Sequence, residues 1–114
     1  MTDGSEAVFV PSSSLTFPLR QQIFDLAQRH RLPDVWEASN YVVDGGLISY
    51  GFDYREIMGY GARYVDRILR RVQPKDLPVD QASKFELVIN LKTAKAMGLQ
   101  VPPSLLLRAD KVID

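Results

Sequence analysis

Asp44-Gly-Gly-Leu-Ile-Ser-Tyr-Gly-Phe-Asp-Tyr54 is the stretch from which the rest of the chain can be read. It has the grammar of a turn, a short strand, a second sharp turn and the start of a long helix. Gly45 and Gly46 reach backbone angles that a Cβ disfavours. Leu47–Tyr50 is apolar enough for a buried strand. Gly51 is expected to break that strand, and Asp53 to cap the helix behind it by accepting from free backbone N–H groups. A strand followed by a glycine, a cap and a helix is where open α/β sheets place ligands, and it is equally an ordinary strand-to-helix turn.

Working outward, short apolar runs alternate with helical patterns. Ala7–Val10 reads as a buried strand ended by Pro11, followed by the polar loop Ser12-Ser13-Ser14. A helix then runs to about Arg31, with Pro18 confined to its first turn and Leu19, Ile23, Leu26, Ala27 and His30 on one face. Asp34-Val35-Trp36 fits a second parallel strand, and Ser39–Val43 one helical turn. Asp53–Val72 is the longest helical stretch. Its apolar face is Ile57, Gly61, Tyr64, Val65, Ile68 and Val72, and Gly59 and Gly61 suggest close approach of another backbone. Phe85–Ile89 is a strand. Asn90 caps a short helix over Leu91–Met97, and Gly98 ends it. A last helix is expected over Ser104–Ile113. The alternation predicts an α/β fold in which helices flank a mainly parallel sheet.

The totals narrow the chemistry. The 114 residues suit one small domain, and 14 basic residues balance 14 acidic ones. That balance argues against nucleic acid as a partner. With no cysteine and a single histidine, His30, thiol chemistry and sites needing two imidazoles are excluded, and no metal or other cofactor is expected. The polar start Met1–Glu6 has no apolar core, so it does not read as a signal peptide. The chain is thus either cytoplasmic or without its natural beginning. No phosphate loop, dinucleotide fingerprint or nucleophile elbow is present, so the chain does not read as an enzyme. A small flavodoxin-like enzyme or receiver domain is disfavoured on the same ground.

Three strand ends carry the polar residues that remain. Ser12, Ser13 and Ser14 follow the first strand, Glu37 the second, and Tyr50 ends the third. If the strands are parallel, these groups meet at one edge. Serine hydroxyls and backbone N–H groups suit a ligand's carboxylate, Glu37 its ammonium, and Tyr50 an aromatic or apolar group. The alternative is a polar connection with local serine turns.

Several blocks carry a resemblance. They are Asp44–Asp53, Tyr64-Val-Asp-Arg-Ile-Leu69, Leu77-Pro-Val79, Lys84-Phe-Glu-Leu-Val-Ile-Asn-Leu-Lys-Thr-Ala-Lys-Ala-Met-Gly-Leu99 and Pro102–Ile113. Together they resemble the C-terminal part of the ABC-transporter substrate-binding family whose better-known members look like tryptophan or tyrosine binders. The resemblance implies a type I periplasmic binding fold, with two α/β lobes, a solute cleft between them and a hinge. It implies a small solute such as an aromatic amino acid, an ABC permease as partner, and a periplasmic or lipid-anchored location for the full-length protein.

By the same resemblance Ser12–Ser14 match the ligand-contacting loop, although many relatives carry Thr-Asp-Asn-like residues there. Glu37, Tyr50 and Gly51 match cleft positions, and Gly45, Gly46 and Pro78 the hinge. Residues 47–76 of this otherwise single α/β domain would belong to the other lobe. The apolar helix face would then lack its usual cover, which implies a homodimer with helix exchange as the preferred geometry. The competing reading is a stand-alone lobe that dimerises without binding a solute.

Overall fold

The computed structural model describes residues 4–81 and 83–114; the chain start read above, Met1–Asp3, lies outside them. The elements are β1 (Val8–Val10), α1 (Arg20–Arg29), β2 (Asp34–Trp36), α2 (Ser39–Val43), β3 (Ile48–Phe52), α3 (Tyr54–Leu69), a 3-10 turn (Pro74–Asp76), β4 (Phe85–Asn90), α4 (Leu91–Met97), α5 (Pro103–Arg108) and β5 (Lys111–Ile113). The five strands form one sheet in the order β1-β2-β3-β4-β5. The fold is α/β, and the sheet is mainly parallel: β1 runs parallel to β2, β2 to β3 and β4 to β5. Between β3 and β4 the direction reverses. Asn90 N–H donates to the Leu47 carbonyl (2.8 Å) and Asp53 N–H to the Lys84 carbonyl (3.2 Å), so one strand climbs as the other descends.

The chain divides into two compact units, residues 1–51 with 86–114, and residues 52–85. The first unit holds the core. Trp36, Tyr41, Val42, Phe24, Val10, Ala38 and Val88 pack together, and Ala27, Leu47, Ala94 and Met97 form a second cluster. Trp36 stacks on Tyr41 with ring centres 4.6 Å apart and meets Phe24 edge-on at 5.1 Å. These aromatic contacts contribute beyond the burial of their area. The caps read from the sequence are in place. Asn90 Oδ1 accepts from Thr93 N–H (3.1 Å), and Gly98 ends α4 at φ 70°. The Asn90 amide also donates to the Val42 carbonyl (3.0 Å), tying α4 to α2.

In the second unit Asp53 caps α3 through Arg55 N–H (2.9 Å). The Tyr64 hydroxyl lies 2.7 Å from the Pro78 carbonyl and 2.8 Å from the Asp80 carboxylate, and it accepts from Asp80 N–H (3.0 Å). Glu56 collects three donors: the Tyr60 hydroxyl (2.7 Å), the Ser83 hydroxyl (3.0 Å) and Lys84 N–H (3.0 Å). These bonds, led by Tyr60, hold the Glu56 carboxyl below the usual carboxylate range. A depressed folded-state value means that Glu56 stabilises this unit above its unfolded pKa, and that the contribution is lost as pH falls through the folded value. Glu56→Gln should therefore lower the denaturant midpoint at neutral pH and have little effect in acid. A difference between the two proteins that stays constant across that range would refute this role.

Three local expectations change. The C-terminal helix stops at Arg108, and Lys111–Ile113 is a strand. The cause is pairing: Asp110 N–H donates to the Leu87 carbonyl (2.8 Å), and the Asp110 carboxylate accepts from Leu87 N–H (2.8 Å), which draws the segment onto β4. Gly51 does not break β3 but lies inside it. Gly59 and Gly61 face no neighbouring atoms among the described residues. Helix α3 has no buried residue, and Ile57, Val65, Ile68 and Val72 are exposed.

Candidate substrate-binding site

The loop after β1 is the most elaborately tied segment of the sheet's carboxyl edge. Ser13 Oγ accepts from Thr16 N–H (3.0 Å) and Leu15 N–H (3.2 Å), and Ser13 N–H donates to Thr16 Oγ1 (3.0 Å). The Thr16 hydroxyl donates to the Pro11 carbonyl (3.0 Å) and lies 3.5 Å from the Tyr41 hydroxyl. At the far end Arg20 pairs with Asp44 (2.9 Å), donates to the Phe17 carbonyl (2.9 Å) and covers the Phe17 ring at 4.2 Å. The Phe17 ring in turn meets Tyr41 edge-on at 5.7 Å.

At its near end the loop is tied to β2. Ser12 N–H donates to Glu37 Oε2 at 2.8 Å. Such a bond to a carboxylate is stronger than one between neutral groups. Gly51 lies behind Glu37. A Cβ built on Gly51 would stand 1.7 Å from the Glu37 carbonyl oxygen, so only glycine fits. Of the groups expected at the strand ends, Ser12 and Glu37 are thus brought together, and Gly51, a cleft position by resemblance, packs against the Glu37 carbonyl.

The three serines are not equivalent. The Ser13 hydroxyl is spent on its own turn. The Ser12 hydroxyl is buried without a hydrogen-bond partner among the described residues. Ser14 is exposed. Tyr50 is 57% exposed, and the alternation along β3 sets it on the opposite face from Gly51.

Gly45 and Gly46 lie in the first unit, and both are packed. Gly45 adopts φ 137° with a Cβ position 3.3 Å from the Phe24 ring, and a Cβ on Gly46 would stand 2.7 Å from Trp36 Nε1. Pro78 lies in the second unit, beneath the Tyr64 hydroxyl. Thr16, Tyr41 and Arg20 were missed as loop anchors. The Ser13-x-x-Thr16 spacing was the available signal for the first.

Beneath the edge, Asp34 is 1% exposed and accepts from both the Trp36 indole N–H and Leu47 N–H (3.1 Å). The second unit carries a groove of about 730 Å³ lined by Phe52, Ile57, Tyr60, Tyr64, Asp80 and Phe85 among others. Among the described residues no acidic, histidine or cysteine cluster could hold a metal ion. No helix there is long and apolar enough to cross a membrane.

Comparison with known proteins gives this geometry a family. The model of the ABC transporter substrate binding protein family matches residues 1–113. A tyrosine-binding protein of Clostridioides difficile is 27% identical over 96 residues, covering 83% of this chain and 28% of that protein. Among solved structures, an ABC domain from Streptococcus pneumoniae in complex with L-Trp is similar, with a TM-score of 0.86 and 28% identity. The similarity covers 99% of this chain and 38% of that one. A conserved domain protein from Vibrio cholerae gives the same TM-score at 30% identity, covering 95% of this chain and 36% of its own. The chain therefore spans little more than a third of the length of these relatives, or less. With the family model matched along almost its whole length, the chain belongs to the ABC transporter substrate-binding protein family.

Proposed function

We propose that this chain supplies part of an amino-acid binding site in an ABC-type uptake system, working by reversible capture with no chemical step. The observation that carries the reading is the serine loop after β1, anchored on Glu37 at the carboxyl edge of the parallel strands. Backbone N–H groups and serine hydroxyls there suit an amino acid's carboxylate. Gly51 lets the strand backbone come close to Glu37. The relatives, one tyrosine-binding by name and one solved with L-Trp, support an aromatic amino acid as the solute.

In this proposal the full protein works outside the cytoplasmic membrane, periplasmic or lipid-anchored, and delivers its solute to an ABC permease. Residues 52–85, a segment placed at 47–76 from the sequence, belong to the second lobe of a two-lobed protein. The hinge follows the two backbone passages at Gly51–Phe52 and Phe85–Glu86. Gly45, Gly46 and Pro78, the hinge positions implied by the resemblance, lie inside their units, five to seven residues from those passages. Calorimetric titration of the full-length protein with an amino-acid panel should show saturable binding of L-Trp or L-Tyr at one site. Absence of binding by every amino acid would end this reading.

A second reading rests on α3, whose apolar stripe Ile57, Val65 and Ile68, continued by Val72 just beyond its end, is exposed. These side chains are 36–57% exposed, so each forgoes about half or less of the roughly 1.5–3 kcal/mol that full burial supplies. Two copies that present the stripe to each other, with or without exchanging the helix, would recover part of it. Sedimentation of this chain at micromolar concentration should give a dimer that Ile68→Glu converts to monomer. A native monomer would remove this reading.

A further inference from the structure

We propose that Glu37 is a positioning residue, whose carboxylate holds the Ser12–Ser14 loop in its ligand-ready geometry and does not pair with the ligand's ammonium. The inference rests on the binding role proposed above and deepens it. One carboxylate oxygen is already engaged, 2.8 Å from Ser12 N–H, across 25 residues of chain. The Glu37 backbone also lies close against β3, its carbonyl in the space that a Cβ on Gly51 would need. Glu37 therefore joins the ligand loop to β3 at Gly51, the last residue before the chain passes into its second compact unit. Within the loop, Ser13 closes its own turn with Thr16, Thr16 also holds the Pro11 carbonyl, and the Ser12 N–H itself, beside a buried hydroxyl, is held by Glu37.

Two variants separate reach from charge. Glu37→Gln keeps an acceptor oxygen at the same reach and removes the charge. Glu37→Asp keeps the charge and withdraws it by one methylene. The full-length protein is titrated with L-Trp and L-Tyr, and the Ser12 amide is followed by hydrogen exchange. A positioning role predicts that Glu37→Gln binds within about threefold of the native protein and Glu37→Asp about tenfold more weakly. It also predicts Ser12 amide protection kept in the first variant and lost in the second.

The opposite order of affinities would overturn the proposal in favour of direct pairing with the ammonium. Equal affinities, or unchanged Ser12 protection in both variants, would overturn it too. If the native protein binds no amino acid, the functional reading fails, and Ser12 protection alone decides whether Glu37 positions the loop. A melting-temperature comparison confirms that each variant is folded.

Discussion

Gly51→Ala is expected to destabilise the protein by about 4 kcal/mol, the range reserved for changes that the structure cannot absorb. An added Cβ would stand 1.7 Å from the Glu37 carbonyl oxygen, 2.9 Å from its carbon and 3.6 Å from Glu37 Cα. All three atoms are backbone, so no rotamer change relieves the overlap. Either β3 or the end of β2 must move. Moving β2 disturbs Trp36, which is next in sequence and wholly buried. Overpacking of a side chain against side chains costs roughly 1–3 kcal/mol, and collision with main chain exceeds that. Gly59→Ala and Gly61→Ala are the controls. A Cβ at either position meets nothing within 4 Å, and alanine improves helix propensity by about 1 kcal/mol. Denaturant midpoints of the three variants test the contrast. A Gly51→Ala protein as stable as the native one would show that the close approach is not structural.

That glycine also marks the limit of what local pattern reveals. A glycine between Tyr50 and Phe52 is read as a strand breaker when only its backbone freedom is considered. In the folded chain its missing Cβ matters, and the neighbour that requires its absence is 14 residues earlier in the sequence. By contrast, Asp53, Asn90 and Gly98 were legible, because a cap acts on atoms within three residues of itself. The β1, β2 and β4 segments were legible from short apolar runs bounded by turn residues. Strand β5 was not. Leu105–Leu107 carries a helical signal that the reading extended through Ile113, and only the edge offered by β4, with Asp110 bridging to Leu87, ends the helix and makes a strand. The reversal between β3 and β4 was equally hidden, since the intervening residues belong to a unit of their own, residues 52–85.

The candidate site was legible in its placement and less so in its wiring. Strand order put Ser12–Ser14, Glu37 and Tyr50 at one edge, and the fold brings Ser12 onto Glu37 there. Chemistry alone suggested an ammonium for Glu37, because an unpaired carboxylate near a cleft invites a cation. The structure gives one of its oxygens to Ser12 N–H, a donor that no side-chain pattern announces. Tyr50 follows the same logic. Its period-two position beside Gly51 sends its ring to the other face of β3, a consequence of strand register that composition cannot convey.

Trp36→Ala should remove about 4 kcal/mol, much of a typical domain's stability. The indole fills the space between Phe24 and Tyr41, and its N–H is one of two donors to the buried Asp34 carboxylate. Cavity and unsatisfied charge therefore add in one substitution. Trp36→Phe separates them, since a phenyl ring keeps most of the packing and loses the N–H. It should cost about 2 kcal/mol, the range for leaving a buried charged acceptor short of a donor. If that is the cause, Asp34→Asn will be less harmful beside Trp36→Phe than alone, with a coupling of about 1 kcal/mol in the double-mutant cycle. Strict additivity would mean that the loss comes from packing alone. The same bond reaches the candidate site. Asp34 also accepts from Leu47 N–H, which fixes the entry to β3, and Trp36 immediately precedes Glu37. A Trp36→Phe protein should accordingly lose Ser12 amide protection at a denaturant concentration where global unfolding has not begun. Loss of Ser12 protection only at the global midpoint would show that the core and the loop are not linked through β2.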